Sequence, residues 1–139
     1  MLKSGLKAAV VVAGMVGAST AFADGHSGGD AAAGEKVFKK CMACHQVGPD
    51  AKAKVGPPLT GVVGRKAGSV EGFEYGKSMA AAGEAGLVWT EEELFAFLKH
   101  PRNYLREKLD DKKAKTQMSR KLKKDEDRAN IIAYLKTFQ

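Results

Sequence analysis

Metal-binding and cross-linking residues are scarce in this chain, which has two cysteines and three histidines among 139 residues. A structural zinc site needs four nitrogen or sulfur ligands. Beyond the Cys41–His45 segment, only His26 and His100 could complete such a set, and His100, which precedes a proline, is most simply a surface residue. The sequence therefore disfavours a zinc centre.

The chain also lacks an apolar run of the roughly 20 residues that a membrane-spanning helix needs. Its apolar stretch, Ala8 to Ala18, follows Lys3 and Lys7 and precedes the small-x-small triplet Ala21-Phe22-Ala23. A positive start, a short apolar run and such a triplet are typical of a secretory signal peptide. We therefore predict that residues 1–23 are cleaved on export and that the protein is located in the periplasm.

Residues 24–30 are rich in glycine and polar side chains, which predicts a flexible N-terminal tail. The length then allows one compact domain, which we assign to residues 31–139. Removal of the leader lowers the formal net charge from +7 to +5, because it takes away two lysines and no acids. The remaining basic charge favours acidic partners. Export and the lack of a recognised motif count against nucleic acid.

Periodicity and end signals predict an all-α fold. A helix capped by Asp30 should run from Ala31 to about Met42, and Gly34 would let another helix approach it closely. The last helix should begin near Asp125. Its apolar face, spaced i, i+3, i+4 and i+7, would pack on the first helix; the residues are Ile131, Tyr134, Leu135 and Phe138.

The middle of the chain has fewer helical signals. From Gln46 to Val88 it is rich in glycine, with one short helix expected around residues 77–82. Thr90 and Glu93 form a capping-box pattern for a further helix, Pro101 ends it or starts the next, and a basic loop covers 108–124. A loop stretch as long as 46–88 needs something to wrap around, and a flat apolar prosthetic group would supply the missing core.

Cys41-Met42-Ala43-Cys44-His45 matches Cys-x-x-Cys-His, the attachment signature of c-type haem. In that reading Cys41 and Cys44 form thioethers with the haem and His45 is an axial iron ligand. A structural disulfide, a thioredoxin-like dithiol, a zinc half-site or an accidental match are the alternatives. The dithiol needs a βαβ context, which the helical pattern does not offer.

The second axial ligand would come from elsewhere in the chain. Met42 lies inside the attachment loop and cannot also reach the opposite haem face. The remaining candidates are Met79, Met118, His26, His100 and the lysines.

With these motifs, the chain resembles the class I cytochromes c, of the cytochrome c2 kind found in photosynthetic proteobacteria. The resemblance covers nearly all of residues 31–138. Its motifs are Gly34 with Phe38, the Cys-x-x-Cys-His segment, Gly56-Pro57-Pro58-Leu59, Gly64-Arg65, Phe73-Glu74-Tyr75, Trp89, Lys115 to Met118 and Ile131 to Leu135.

The resemblance implies a cytochrome c fold, in which the N- and C-terminal helices cross and loops wrap around one covalent haem c. It also implies that Met118 is the second axial ligand. The Pro57 carbonyl would accept a hydrogen bond from the His45 ring and fix its tautomer. The haem propionates would be served by four residues: Arg65, Tyr75, Trp89 and Thr116.

The implied function is that of a soluble, monomeric one-electron carrier, not an enzyme. It would take electrons from a cytochrome bc1-type complex to a photosynthetic reaction centre or a terminal oxidase, using their acidic docking faces. A haem enzyme with an open iron site and a basic adaptor with a Cys41–Cys44 disulfide are the competing classes. Seven cations in residues 112–124 suggest electrostatic steering toward the partner.

Two positions depart from the family pattern. Phe97 stands where the family usually has a tyrosine that can hydrogen-bond the methionine sulfur. The segment after Met118 reads Ser119-Arg120, where an aromatic residue often covers the haem edge. We therefore expect a sulfur without that donor and a more exposed, more positive edge.

Overall fold

The computed structural model of the chain describes residues 28–139. The predicted signal peptide, residues 24–27 of the predicted tail and His26 lie outside the described residues. In this part of the chain, five helices follow one another in the order α1 Ala31–Phe38, α2 Lys77–Glu84, α3 Glu91–Lys99, α4 Pro101–Lys108 and α5 Asp125–Lys136. An isolated bridge between Lys66 and Val88 is the only β pairing within 28–139. The described part of the chain is helical, as predicted, and none of its helices is both long and apolar enough to span a bilayer.

The first helix begins where the sequence predicts and ends earlier. The Asp30 carboxylate accepts hydrogen bonds from the backbone N–H groups of Ala32 and Ala33, at 2.7 and 3.2 Å, so it caps α1. The predicted end at Met42 is wrong, because α1 ends at Phe38. Beyond it the chain tightens into turns in which Cys41 N–H bonds to the Phe38 carbonyl, three residues back, at 2.7 Å.

Helices α1 and α5 cross in close contact, which confirms the predicted pairing. A Cβ atom added to Gly34 would lie 2.0 Å from the Asn130 carbonyl oxygen, so only glycine allows this approach. The Phe38 and Tyr134 rings pack beside it with centroids 5.5 Å apart. Backbone N–H of Asp30 also donates to Oδ1 of Asn130 at 2.8 Å. The crossing therefore joins the two ends of the described chain.

Helices α3 and α4 are joined through Glu93. Thr90 caps α3 by accepting from the Glu93 backbone N–H at 3.2 Å, which is the first half of the predicted capping box. The Glu93 carboxylate does not complete the box. It accepts from the Tyr104 hydroxyl and the Lys108 ammonium on α4, while the Thr90 N–H donates to the Val88 carbonyl.

The long connections are ordered by single backbone hydrogen bonds between distant residues. Gly56 N–H donates to the Cys44 carbonyl at 2.8 Å, and Gly64 N–H donates to the Trp89 carbonyl at 2.7 Å. Gly61 N–H reaches the Phe138 carbonyl, which ties a loop to the end of the chain. These connections, together with α1, α3 and α5, surround an internal cavity.

Candidate functional site

A cavity of about 150 Å³ lies between the helices and the loops. Its walls are mainly apolar, and several come from α1, α3 and α5. These wall residues are Phe38, Leu94, Phe97, Leu98, Ile131 and Leu135. The space is therefore suited to an apolar group, and the residues with metal-binding or reactive atoms can be located relative to it.

Both cysteines line this cavity, and neither forms a disulfide. The turns after α1 hold them: the N–H groups of Cys44 and His45 both donate to the Cys41 carbonyl, at 3.0 and 2.9 Å. Burial raises the pKa of the Cys41 thiol, and the positive charges of Arg120 and Lys40 oppose that rise. Two free thiols and an imidazole thus enter one apolar space within five consecutive residues.

The orientation of the His45 ring is fixed by its hydrogen bond to the Pro57 carbonyl, with Nδ1 2.8 Å from the oxygen. Because a carbonyl only accepts, Nδ1 carries the hydrogen and Nε2 keeps its lone pair. Burial lowers the pKa of His45, although the Pro57 bond favours the charged form. A neutral imidazole with a free Nε2 is the form that binds a metal.

Gly56 makes room for this ring, and the sequence analysis gave it no such role. A Cβ atom at position 56 would lie 2.3 Å from Cε1 of His45. No sequence pattern reveals this contact, because the two residues are eleven positions apart in an irregular connection.

Two thioethers line the cavity, from Met79 on α2 and from Met118 in the loop before α5. Met42 is 54% exposed and does not line it. His100 lies outside as well, since it caps α4 by accepting from Asn103 N–H at Nδ1. The described residues therefore leave Met79 and Met118 as the candidates for a second ligand.

Three of the four predicted propionate residues line the cavity: Arg65, Tyr75 and Trp89. The Arg65 guanidinium donates to the carbonyls of Pro58 and Thr60, both at 3.1 Å, and burial lowers its pKa. No carboxylate among residues 28–139 pairs with this half-buried cation. Its environment therefore provides a place for an anionic group.

Tyr75 and Thr116 already take part in backbone contacts. The Tyr75 hydroxyl accepts from Val70 N–H at 3.2 Å and keeps its own hydrogen for another acceptor. Thr116 is not among the cavity residues, and its hydroxyl accepts from the Met118 N–H at 3.1 Å. The structure thus brings Arg65, Tyr75 and Trp89 to the cavity and places Thr116 beside the methionine.

The residues that line the cavity match the chemical groups of a haem. Haem has a large apolar face, an iron that accepts nitrogen and thioether ligands, two vinyl groups that react with thiols, and two carboxylates. Within residues 28–139, the cavity offers apolar walls, a free imidazole nitrogen, two thioethers, two thiols and, near a tyrosine hydroxyl, a guanidinium without a carboxylate partner. Each part of the group has a matching residue, so the residues present fit haem c.

The cations of residues 112–124, the segment that carries Met118, lie on the surface. All seven cations of residues 112–124 are exposed, and none is in an ion pair with another residue in the described range. They are Lys112, Lys113, Lys115, Arg120, Lys121, Lys123 and Lys124. The segment therefore presents its positive charge to solvent and not to the protein's own acids.

Comparison with known proteins gives a consistent result. The family model for cytochrome c matches residues 31–139. Cytochrome c2 iso-1 of Rhodospirillum centenum is 53% identical over 116 residues, which covers 79% of this chain and 97% of that protein. Cytochrome c2 of Rhodospirillum rubrum is 45% identical over 140 residues, covering 99% of this chain and 100% of the relative.

Solved structures resemble the fold as well. The structure of cytochrome c2 from Rhodospirillum centenum superposes with a TM-score of 0.77 at 51% identity, covering 80% of this chain and 99% of that one. Cytochrome c2 from Rhodobacter sphaeroides gives a TM-score of 0.75 at 43% identity, covering 79% and 96%.

Proposed function

Since this chain belongs to the cytochrome c family, we propose that it carries single electrons in the bacterial periplasm. Its cofactor is one covalently bound haem c. The observation that carries the proposal is that Cys41, Cys44, His45 and Met118 all line the same apolar cavity. When bound, haem c supplies an iron that alternates between the ferric and ferrous states.

The Cys41–His45 segment would hold the haem in this proposal. Cys41 and Cys44 would fix it covalently, and His45 would bind the iron through Nε2. The Pro57 carbonyl keeps the ring in the required tautomer, and Gly56 leaves it the space it occupies.

Met118 is the proposed second axial ligand. Both methionines line the cavity, but Met118 lies in an irregular segment without helix hydrogen bonds, whereas Met79 lies within α2. The resemblance to cytochromes c2 also supports this choice, because it implies a ligand methionine at this position. A soft, neutral thioether favours the ferrous state and so raises the reduction potential. With both axial positions filled, the protein would bind no substrate at the iron and would act as a carrier.

Arg65, Tyr75 and Trp89 are the proposed partners of the haem propionates. Each lines the cavity, and Arg65 has no carboxylate partner of its own within residues 28–139. A half-buried cation is unfavourable unless it is paired. A propionate would supply that partner. The Thr116 hydroxyl, which lies beside Met118, would also serve the propionates.

The basic segment 112–124 is the proposed docking surface for acidic membrane complexes. A carrier must meet its partner quickly and leave quickly, and complementary charge raises the encounter rate more than the affinity. We propose a cytochrome bc1-type complex as donor and a reaction centre or terminal oxidase as acceptor. Cleavage of residues 1–23 would place the chain in the periplasm with them.

A pair of matched variants tests the ligand assignment. Met118→Leu should abolish the weak near-infrared sulfur-to-iron band of the ferric protein and lower its potential, because leucine offers the iron no sulfur. Met79→Leu keeps nearly the same volume and should leave the band in place. Loss of the band in Met79→Leu, with the band retained in Met118→Leu, would contradict the assignment.

Salt dependence tests the docking proposal. The rate constant of electron transfer from a purified bc1-type complex should fall as ionic strength rises, since the Debye length shrinks to about 3 Å at 1 M salt. Arg120→Gln should lower that rate at low salt and weaken its salt dependence. A rate that does not change with salt would count against an acidic partner.

The N-terminal sequence of the periplasmic protein tests the cleavage of residues 1–23. Edman sequencing should begin at Asp24.

A further inference from the structure

The segment that carries Met118 is held mainly at its two ends. At one end, Lys115 N–H donates to the Ser78 hydroxyl of α2 at 3.0 Å. At the other, Leu122 is 3% exposed and its N–H donates to the Leu98 carbonyl at 2.8 Å. We name residues 115–123 the strap. Residues 116–121 make no backbone-to-backbone hydrogen bond with any residue in 28–139.

Arg128, the fourth residue of α5, forms hydrogen bonds with the carboxyl end of the strap. Its Nη1 donates to the carbonyls of Leu122 at 2.7 Å and Lys123 at 3.0 Å. Its Nη2 pairs with the Asp125 carboxylate at 2.6 Å, and the guanidinium lies 4.3 Å from the centre of the Phe95 ring. One side chain thus ties the strap to α5 and α3.

Because Arg128 is buried, loss of this contact would destabilise the protein. The side chain is 2% exposed, although arginine is almost never fully buried unless it is paired. Its Nε has no acceptor in the described part of the chain. Two backbone carbonyls and one carboxylate therefore balance the buried charge. Removing the guanidinium would leave the two carbonyls at the strap's end without a donor.

We propose that Arg128 is a positioning residue for Met118: by holding the Leu122 and Lys123 carbonyls, it keeps the strap closed and limits how often the thioether leaves the iron. This inference rests on the proposed function, which makes Met118 an iron ligand. Lysine cannot replace arginine here, because a single ammonium lacks the planar fork that reaches the carbonyls and Asp125 together.

Cyanide binding to the ferric holoprotein measures this opening, since cyanide reaches the iron only after the thioether leaves it. Arg128→Lys should bind cyanide about tenfold faster than the wild type, the factor that corresponds to one charge-assisted hydrogen bond. The control is Ile132→Ala, which removes a buried side chain one turn farther along α5 that does not line the cavity. It should lower the global stability against guanidinium without a matching rise in the cyanide rate.

A milder pair covers the case in which Arg128→Lys does not fold. Asp125→Asn removes only the ionic partner of Arg128 and should raise the cyanide rate about threefold. Glu126→Gln changes a neighbouring exposed acid in the same first turn of α5 and should leave the rate unchanged.

The outcomes separate this inference from the function on which it rests. Met118→Ala should bind cyanide fastest of all; a wild-type rate in that variant would overturn the ligand assignment, and this inference with it. If Met118→Ala is fast but the Arg128 and Asp125 variants match their controls, Arg128 only stabilises the fold and the inference is wrong.

Discussion

The crossing of α1 and α5 is held by close backbone approach and ring packing, whereas residues 39–76 and 109–124 are held by single hydrogen bonds between distant positions. The crossing has a repetitive pattern that one glycine and one apolar face define. The loops have no such pattern, and they contribute most of the chemical groups of the site. The regions meet at the cavity, whose walls include Phe38, Ile131 and Leu135 from the crossing. The helices therefore determine the shape of the cavity, and the loops determine the chemistry of the site.

Loss of the haem should have the largest effect, because residues of both regions line the cavity that would hold it. A Cys41→Ser, Cys44→Ser double variant should therefore lose most of its far-ultraviolet helix signal. Retention of the wild-type signal in a haem-free sample would mean that the crossing folds independently of the site.

Gly34→Val should break the crossing. The new Cβ would lie 2.0 Å from the Asn130 carbonyl oxygen and 2.7 Å from the Tyr134 Cβ, so backbone must move. We expect a loss of about 3 kcal/mol in the free energy of unfolding, measured by guanidinium titration. Gly28→Ala is the control, because a Cβ there meets nothing within 4 Å. Equal midpoints for the two variants would show that the close approach is not required.

Gly56→Ala should damage the loop region locally. The added methyl would lie 2.3 Å from Cε1 of His45, which would displace the ring and weaken its bond to Pro57. The helix signal should stay near normal while the visible spectrum and the reduction potential change. Gly76 also lines the cavity, but a Cβ there would be 3.9 Å from the Gln117 side chain. Gly76→Ala should therefore leave the visible spectrum and the reduction potential unchanged. The reverse order would contradict the role given to Gly56.

Glu93→Gln should have the smallest effect, and the effect should depend on pH. Burial alone would raise the pKa of Glu93, but the hydrogen bonds from Lys108 and Tyr104 outweigh it and hold the pKa below the usual range. A lowered pKa stabilises the fold above the unfolded value of about 4.3, and this stabilisation disappears as the pH falls through the folded value. The variant's deficit should be about 1 kcal/mol or less at pH 7 and should shrink below about pH 4.3.

The matched variant for this prediction is Glu84→Gln, which changes an exposed acid at the end of α2. It should show no deficit between pH 7 and pH 3. A Glu93→Gln deficit that stays constant over the same range would show that the carboxylate's charge is not what joins α3 to α4.

The sequence predicted the features that follow from local pattern. Helix caps at Asp30 and Thr90, the position of α5 and the contact between His45 and Pro57 all have local or motif signals. The early end of α1 was missed. After Phe38 the backbone changes to turns whose N–H groups bond three residues back, and this change depends on the tertiary position of the following segment. The contact between Gly56 and the His45 ring was missed because it is tertiary.

Charged residues were the least predictable. The Asp-Glu-Asp-Arg stretch that opens α5 is typical of a solvated surface, yet Arg128 is 2% exposed. Its burial depends on the Leu122 and Lys123 carbonyls and on the Phe95 ring, none of which a sequence pattern brings together. The Glu93 carboxylate likewise contacts α4, not the Thr90 backbone N–H that the capping-box spacing suggests.

The most direct test of the central claim, that one haem held by His45 and Met118 carries one electron, is a redox titration of the purified holoprotein followed in the visible and near-infrared. We predict a single one-electron transition between two low-spin states, with the sulfur-to-iron band present only in the ferric form. A high-spin ferric spectrum, or a colourless protein from cells that contain the haem-attachment machinery, would contradict the claim.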